Sequence, residues 1–293
     1  MKCIQLQNCK KRASRTQKIF NRQVYTMTKQ YLIEQIRQKK TYLCVGLDTD
    51  ASKIPDSLMR EEDPVFAFNK AIIDATLPYC VSYKINTAFY ESQGLAGWAS
   101  MEKTVKYIPE THFKIADAKR GDIGNTATQY AIAFLKNLPF DAITIAPYMG
   151  EDSVKPFLQF EQKWGIVLGL TSNPGAADFE LKELIGGECV YENVIRTVAG
   201  WGSTENLMFV VGATRSDEFI NLRKISPDHF FLVPGVGAQG GSLAEISQKA
   251  MNKDVGLLVN VSRDIIFASS GTDFAEMAGA KASAYANEMV AYL

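Results

Sequence analysis

Phe113-Lys-Ile-Ala-Asp-Ala-Lys-Arg-Gly-Asp122 changes half-way from a mostly apolar run into a dense group of charges. The first half has the composition of a buried β-strand, and side chains two positions apart on a strand point to the same face. We therefore expect Asp117 and Lys119 to project together from the strand end. Asp122 follows the Gly121 turn, so it should reach a different place. Charges of alternating sign at the end of a buried strand are difficult to explain structurally and predict an active site.

The same organisation recurs along the chain, because short apolar runs alternate with stretches of helical periodicity such as Pro64–Asp74 and Leu243–Met251. The eight predicted strands are Tyr42–Asp48, Val81–Asn86, Phe113–Asp117, Ala142–Pro147, Gly165–Ser172, Leu207–Thr214, His229–Gly235 and Gly256–Arg263. Eight strand–helix repeats with nearly continuous apolar strands predict a single-domain α/β fold, the (β/α)8 TIM barrel. A doubly wound open sheet is the alternative.

Polar residues end most of these strands, among them Asp48, Lys84, Asn86, Asp117, Thr171, Ser172 and Arg263. A barrel gathers the carboxyl ends of all its strands around one mouth, where catalytic groups lie. The two histidines, His112 and His229, begin strands instead. We therefore expect them at the opposite rim, as packing or surface residues.

Composition excludes several classes of protein. The 293 residues have a formal net charge of zero, which gives no reason to expect a nucleic-acid partner. No apolar run approaches the roughly 18 residues that cross a bilayer, so no membrane segment is expected. The five cysteines form no CxxC pair and do not resemble a disulfide framework. A soluble protein of the reducing cytoplasm fits these features.

Residues 1–26 differ from the rest of the chain, because they contain seven Lys or Arg and no acidic residue. Such a segment can be a transit peptide, but this one is not rich in serine and has no long apolar region. We expect a disordered, dispensable extension in front of a barrel domain of residues 27–293.

Pro234-Gly-Val-Gly-Ala-Gln-Gly-Gly241 contains a GxGxxG motif. A dinucleotide-binding motif should follow the first strand of its unit, whereas this one follows the seventh. A phosphate-binding loop fits better, because barrels often bind phosphate after strands 7 and 8. Gln239 and Arg263 are the predicted side-chain donors, since the forked guanidinium of arginine matches a phosphate. A plain glycine-rich turn remains the alternative.

Other strand ends add candidate residues. Lys84 and Asn86 are two apart on the second strand and should both face the mouth. Asp48 either belongs to the same site or caps the next helix, since Asp is a common cap residue. Thr171–Gly175 offers hydroxyl and amide groups for a planar polar ring, but it is also an ordinary turn sequence. No metal site is predicted, and Asp117 and Asp122 form the one conceivable ligand pair.

Six motifs together resemble the orotidine 5'-phosphate decarboxylase family, in its longer bacterial type, over residues 27–293. They are Val45-Gly-Leu-Asp-Thr-Asp50, Tyr83-Lys-Ile-Asn86, Asp117-Ala-Lys-Arg-Gly-Asp-Ile-Gly-Asn-Thr126, Thr171-Ser-Asn-Pro-Gly175, Pro234-Gly-Val-Gly-Ala-Gln-Gly-Gly241 and Asn260-Val-Ser-Arg263. The resemblance implies conversion of orotidine 5'-monophosphate to UMP, the last step of pyrimidine synthesis, without metal or organic cofactor. The DxKxxD pattern alone is shared with related sugar-phosphate enzymes.

The resemblance also implies a role for each matching residue. Four residues correspond to the charged group of the family: Lys84, Asp117, Lys119 and Asp122, with Lys119 as the proton donor. Asp122 and Thr126 would complete the partner's site in a homodimer. The remaining residues would contact substrate: Asp48 and Asn86 the ribose, Ser172 the pyrimidine, Gln239 and Arg263 the phosphate, and Ile123 and Pro234 an apolar pocket near the departing carboxylate.

Three other functions are compatible with parts of the pattern. A related sugar-phosphate decarboxylase or aldolase would use DxKxxD to hold Mg²⁺. A Schiff-base aldolase would need Lys84 or Lys119 with a depressed pKa, and flanking carboxylates have the opposite effect. A catalytically inactive barrel would bind nucleotide without turnover, although the complete set of charged residues argues against this.

Overall fold

The computed structural model describes residues 27–237 and 240–293. The basic segment 1–26, predicted to be a disordered extension, lies outside the described residues. The described chain begins at Met27, which is buried, and its carbonyl oxygen accepts a hydrogen bond of 3.1 Å from the indole of Trp164. The beginning of the predicted domain is thus fixed to the barrel.

Eight parallel strands close into one barrel in sequence order, and β1 pairs with both β2 and β8. They are β1 Leu43–Gly46, β2 Ser82–Asn86, β3 Phe113–Arg120, β4 Ala142–Ile145, β5 Trp164–Leu170, β6 Leu207–Val211, β7 Phe230–Pro234 and β8 Leu257–Val261. An open sheet would leave two unpaired edges. The (β/α)8 barrel is therefore confirmed, and the doubly wound sheet is excluded.

Helices surround the barrel. Within the described ranges they are α1 Lys29–Lys39, α2 Pro64–Thr76, α3 Ala88–Glu91, α4 Gly94–Tyr107, α5 Gly124–Ile132, α6 Glu151–Leu158, α7 Val190–Ala199, α8 Phe219–Ile225, α9 Leu243–Ala250, α10 Arg263–Ile266 and α11 Phe274–Val290. Residues that precede α1 and α2 cap the first turns of these helices. The Thr28 hydroxyl accepts the Tyr31 N–H before α1, and the Asp63 carboxylate accepts the Phe66 N–H before α2. None of the described helices combines the length and apolarity needed to cross a bilayer.

The strands are buried on both faces. Every residue of β1, β4, β6 and β8 is buried, which accounts for their almost unbroken apolar sequences. Both histidines precede strands and are packed at the amino-terminal rim, with His112 3% and His229 8% exposed. This confirms the prediction that they lie away from the mouth.

Strand β3 is three residues longer than predicted and has an irregular end. Its pairing with β4 runs regularly to Ala116 and Ile143 and then shifts, so that the next pair is Arg120 with Ile145. A shift of this kind is a β-bulge, which re-aims side chains and is frequent next to active sites. The sequence pattern gave no sign of it, because the residues concerned are the charged ones that were expected to follow the strand.

Candidate active site

Four charged side chains from the ends of three neighbouring strands form a chain of ion pairs at the carboxyl end of the barrel. Lys84 Nζ, on β2, lies 2.7 Å from Asp117 Oδ2 and 3.6 Å from Asp48 Oδ1. Lys119 Nζ lies 2.6 Å from the other carboxylate oxygen of Asp117. The order Asp48, Lys84, Asp117, Lys119 alternates in sign, so each charge has an opposite neighbour.

These contacts keep the two most buried members charged. Burial opposes ionisation of Asp117, but the ammonium groups of Lys84 and Lys119 outweigh it and hold the pKa of this carboxyl well below its usual range. Burial also disfavours charged Lys84, yet the carboxylates of Asp117 and Asp48 raise its pKa above the usual value. The site therefore holds fixed charges in a mostly buried setting at neutral pH.

The two lysines differ in accessibility. The side chain of Lys84 is 4% exposed, whereas that of Lys119 is 51% exposed. The backbone of Lys119 has φ 46°, a left-handed conformation that is uncommon for residues other than glycine. Lys119 is consequently the ammonium that a molecule entering from the mouth can reach, and Lys84 lies beneath it.

The position of Asp48 depends on a buried polar network that begins at the end of β1. The Tyr90 hydroxyl donates to the Leu47 carbonyl over 3.0 Å, and the Thr49 hydroxyl donates to Asn69 over 2.6 Å. Asn69 in turn donates to the Tyr90 hydroxyl over 2.9 Å. Helices α2 and α3 thereby fix the backbone on both sides of Asp48.

Asp48 does not cap the following helical turn. The cap of the 3₁₀ turn Ala51–Lys53 is Asp50, whose side chain accepts the Ser52 N–H. Oδ1 of Asp48 is buried and has no hydrogen-bond donor in the part of the chain that the structure describes. Buried polar atoms normally have such a partner, so this oxygen is suited to accept a hydroxyl from a bound molecule.

A cavity of about 410 Å³ opens beside the charged residues. Six predicted site residues line it: Asp48, Lys84, Asn86, Asp117, Pro234 and Arg263. This volume lies within the range of roughly 300–1,000 Å³ that is usual for small-molecule sites. Within the described ranges, no three His, Cys, Asp or Glu side chains are grouped so that they could hold a metal ion.

Other lining residues were not selected from the sequence. Asn260 and Ser262 line the cavity from the end of β8 and are two positions apart, the spacing that places side chains on one face of a strand. This two-residue spacing at the end of a predicted strand was the sequence feature that could have identified both residues. The Ser262 hydroxyl donates to the Gly46 carbonyl over 3.2 Å, and a Cβ on Gly46 would lie 2.7 Å from that of Ser262. Glycine at position 46 thus allows the ends of β1 and β8 to approach. Phe89 and Phe267 add apolar lining from the helical layer, and no pattern in the sequence indicated these two residues.

The glycine-rich segment after β7 borders the cavity through Gly235 and Val236. Gly235 and Gly237 have φ 104° and 76°, and Val236 forms a bridge with Gly241. A Cβ on Gly237 would lie 2.6 Å from the Tyr285 hydroxyl, so only glycine lets the backbone approach α11 this closely. Gln239, a predicted phosphate ligand, lies outside the described residues.

Arg263 follows β8 and is the first residue of α10. Its side chain is exposed at the cavity and has no hydrogen-bond or ion-pair partner within residues 27–237 and 240–293. An unpaired guanidinium beside a glycine-rich loop is suited to bind an anion.

Five predicted residues do not line the cavity of this single chain: Asp122, Ile123, Thr126, Ser172 and Lys119, which is ion-paired to the lining residue Asp117. The first three lie in the loop after β3 and at the start of α5. There Asp122 accepts the N–H of Ile123 over 2.8 Å, and Ile123 is 53% exposed. Ser172 follows β5, in a turn where the Thr171 hydroxyl donates to Glu180 over 2.8 Å. The expectation that Asp122 reaches a different place from Asp117 and Lys119 agrees with this arrangement.

A family model described as "Orotidine 5'-phosphate decarboxylase / HUMPS family" matches residues 41–278, a range that contains all eight strands. The chain belongs to this family. The prediction of the orotidine 5'-phosphate decarboxylase family is thereby confirmed.

Individual relatives agree with the family match. A protein of Phocaeicola vulgatus named orotidine 5'-phosphate decarboxylase is 58% identical, over 87% of this chain and 95% of its own. A protein of the same name from Christiangramia forsetii is 56% identical, over 91% of this chain and 99% of its own. Among solved structures, the OMP decarboxylase of Leishmania donovani has a TM-score of 0.74 and 34% identity, and the match covers 89% of this chain and 99% of that one.

Proposed function

We propose that this protein decarboxylates orotidine 5'-monophosphate to UMP and CO₂, the last step of de novo UMP synthesis, as an orotidine-5'-phosphate decarboxylase. The observation that supports this most directly is that Lys84, Asp117 and the unpaired Arg263 line one cavity, and that Lys119 is joined to Asp117 by an ion pair. This arrangement offers fixed charges for the reacting carbon and a cation for a phosphate. The names and high identity of the family relatives support the same activity.

The reaction breaks the bond between C6 and its carboxylate, and the electron pair remains on C6 as CO₂ leaves. The ring has no conjugated group that can accept this pair, so stabilisation must come from charges already in place. The Lys119 ammonium supplies the positive charge and then its proton, which forms the C6–H bond of UMP. Its accessibility at the mouth and its contact with Asp117 support this role. The proposed reaction uses no metal or organic cofactor.

The other charged residues act on Lys119 and on the substrate carboxylate. Asp117 lies next to the departing carboxylate, where its negative charge disfavours the ground state and not the neutral product CO₂. Lys84 holds Asp117 from the buried side, and its 2.7 Å ion pair supports this assignment. Asp122, from a second subunit, places a further negative charge beside the Lys119 ammonium.

Binding uses groups away from the reacting carbon. In this proposal Asp48 and Asn86 bind the ribose, Gln239 and Arg263 the phosphate, Ser172 the pyrimidine, and Ile123 and Pro234 the apolar part of the pocket. The buried Asp48 oxygen without a donor supports a hydroxyl contact. Phosphate binding far from C6 supplies interaction energy that orients the ring and is used in the transition state.

The active form is a homodimer in which Asp122 and Thr126 complete the partner's site. Two observations support this: Asp122 makes no ion pair with Lys84 or Lys119 of its own chain, and its loop carries exposed apolar side chains. Ile123 is 53% exposed, and Met149, which lies next to Gly121 of this loop, is 50% exposed. A two-fold interface buries the same patch on both subunits.

Mixing two inactive variants tests the shared site. In a heterodimer of Lys119→Ala and Asp122→Ala chains, one site receives both intact residues and the other receives neither. Random exchange of subunits should restore about a quarter of wild-type activity, as two-fold symmetry requires. A mixture as inactive as its components, with heterodimers demonstrated by mass, would contradict the proposal.

The barrel domain of residues 27–293 suffices for activity. The hydrogen bond from Trp164 to the Met27 carbonyl supports this, because it fixes the start of the domain. A chain that begins at Met27 should match the full chain in turnover and melting temperature. The cytoplasm is the proposed compartment, supported by the free thiols of Cys44, Cys80 and Cys189.

The activity is tested by the ultraviolet absorbance of orotidine 5'-monophosphate mixed with purified protein in excess EDTA. Loss of the substrate spectrum with formation of UMP would support the proposal. Turnover that requires added Mg²⁺ would favour the metal-dependent sugar-phosphate enzymes that share DxKxxD. Tight binding of UMP by folded protein without turnover would favour an inactive binding module.

A further inference from the structure

Thr144 lies in the middle of β4, with apolar neighbours on both sides in the sequence, and is 1% exposed. Its hydroxyl oxygen accepts the backbone N–H of Lys119 over 2.8 Å. The same hydroxyl donates to Asp117 Oδ1 over 3.0 Å. Because the hydroxyl has one proton, which it gives to the carboxylate, the two hydrogen bonds fix its orientation.

These bonds close a ring with the Lys119 side chain. Asp117 Oδ1, which receives the Thr144 hydroxyl, also receives Lys119 Nζ over 2.6 Å. The ring therefore runs from the Lys119 amide through the threonine hydroxyl and the aspartate oxygen to the Lys119 ammonium. Thr144 thus contacts the backbone of the proposed proton donor directly and its ammonium through Asp117.

The β-bulge explains why a side chain is needed here. Between the pairs Ala116–Ile143 and Arg120–Ile145, three residues of β3 lie opposite Thr144 alone. The ladder thus provides no regular partner for the Lys119 amide, and the Thr144 hydroxyl replaces it. An amide in this part-buried position without an acceptor is unfavourable, and the left-handed φ of Lys119 is unfavourable as well. The Thr144 hydroxyl stabilises the left-handed backbone conformation in which the Lys119 side chain contacts Asp117.

We propose that Thr144 is a positioning residue that fixes the Lys119 backbone and the Asp117 carboxylate relative to each other across the bulge. The inference rests on the proposed function for its effect on turnover. Small misplacements of catalytic groups can lower rates by about a hundredfold. Thr144 does not line the cavity, so its loss should lower turnover and leave ligand binding largely intact.

The test compares Thr144→Val, which keeps the shape and removes the hydroxyl, with Thr144→Ser, which keeps the hydroxyl. Thr76→Val is the matched control. Thr76 is also fully buried, and its hydroxyl bonds the Ile72 carbonyl and the Tyr83 hydroxyl, outside the site. We expect Thr144→Val to lower kcat by about 10- to 100-fold with UMP affinity within about threefold of wild type. Thr144→Ser should recover at least half of this loss on a logarithmic scale, and Thr76→Val should keep wild-type kcat.

Amide hydrogen exchange of Lys119 provides a readout that does not depend on activity. Exchange should be at least about tenfold faster in Thr144→Val than in wild type or Thr144→Ser, because the amide loses its acceptor. Unchanged exchange in Thr144→Val would overturn the positioning role even if the protein proves to have another activity. With decarboxylation established, wild-type kcat in Thr144→Val, or equal losses in the Val and Ser variants, would overturn it as well. Absence of decarboxylation in wild type would refute the proposed function, and the exchange result would still decide the role of Thr144.

Discussion

Lys84 and Asp117 form an ion pair of 2.7 Å in which neither side chain is more than 10% exposed. Removing one member of a buried pair leaves the other charge without its partner, which costs about 3–5 kcal/mol in typical cases. Asp117 is therefore expected to affect both activity and stability, because the carboxylate proposed to act on the substrate also neutralises the buried Lys84.

Asp117→Asn should lower the free energy of unfolding by about 2–4 kcal/mol, since Asp48 at 3.6 Å compensates Lys84 only in part. Urea unfolding at pH 7 measures this. Glu102→Gln is the control, because Glu102 pairs with Lys106 on the surface and such pairs contribute about 0–1 kcal/mol. Equal stabilities of the two variants would show that the buried pair is not needed for stability.

Arg263→Ala should weaken UMP binding by about 10- to 100-fold, the effect of losing a charge-assisted hydrogen bond to phosphate. Uridine, which lacks the phosphate, should bind the variant and wild type alike. Isothermal titration with both ligands separates the two effects. Arg196→Ala is a suitable control, because Arg196 of α7 pairs with Glu188, which precedes this helix, and neither residue lines the cavity. An unchanged UMP affinity in Arg263→Ala would remove Arg263 from the phosphate site.

The barrel was predictable from sequence because buried parallel strands and amphipathic helices leave strong periodic patterns. Strand ends were less predictable. Strand β3 continues to Arg120 because its bulge pairs charged residues with β4, a tertiary effect that the local pattern does not encode.

Much of the site followed from residue type at strand ends, since a closed barrel brings Asp48, Lys84 and Asp117 together even though they are distant in sequence. The contacts that support these site residues could not be predicted from the sequence. Asn69 and Tyr90 act through a network between helices and β1, which no spacing rule indicates. Thr144 was visible only as a polar residue in an apolar strand.

Acid should destabilise the fold through its buried histidines. Burial, with the nearby charges of Lys29 and Arg223, lowers the pKa of His229 from 6.5 to about 4, and neither ring nitrogen has a partner in the described part of the chain. Between these values the unfolded chain binds a proton that the folded chain does not. The free energy of unfolding therefore falls as pH decreases from 6.5 to 4, by about 3 kcal/mol for this residue.

His229→Phe should reduce that pH dependence, since phenylalanine can pack against Phe209 as the imidazole does and cannot titrate. Unfolding free energies measured between pH 7 and 4.5 should show a shallower decline than in wild type. Part of the decline should remain, because burial and Lys39 lower the pKa of His112 to about 4 as well. The same slope in variant and wild type would contradict this assignment.

The role of Lys119 as the proton donor is tested most directly by the turnover of orotidine 5'-monophosphate by Lys119→Ala, measured together with UMP affinity and the free energy of unfolding. We expect a loss of at least about a thousandfold in kcat, within the range for a lost general acid, with the fold and UMP binding retained. Lys155→Ala, which removes a similarly exposed lysine on α6, should behave as wild type. Turnover by Lys119→Ala within tenfold of wild type would contradict the assignment of Lys119 as the proton donor.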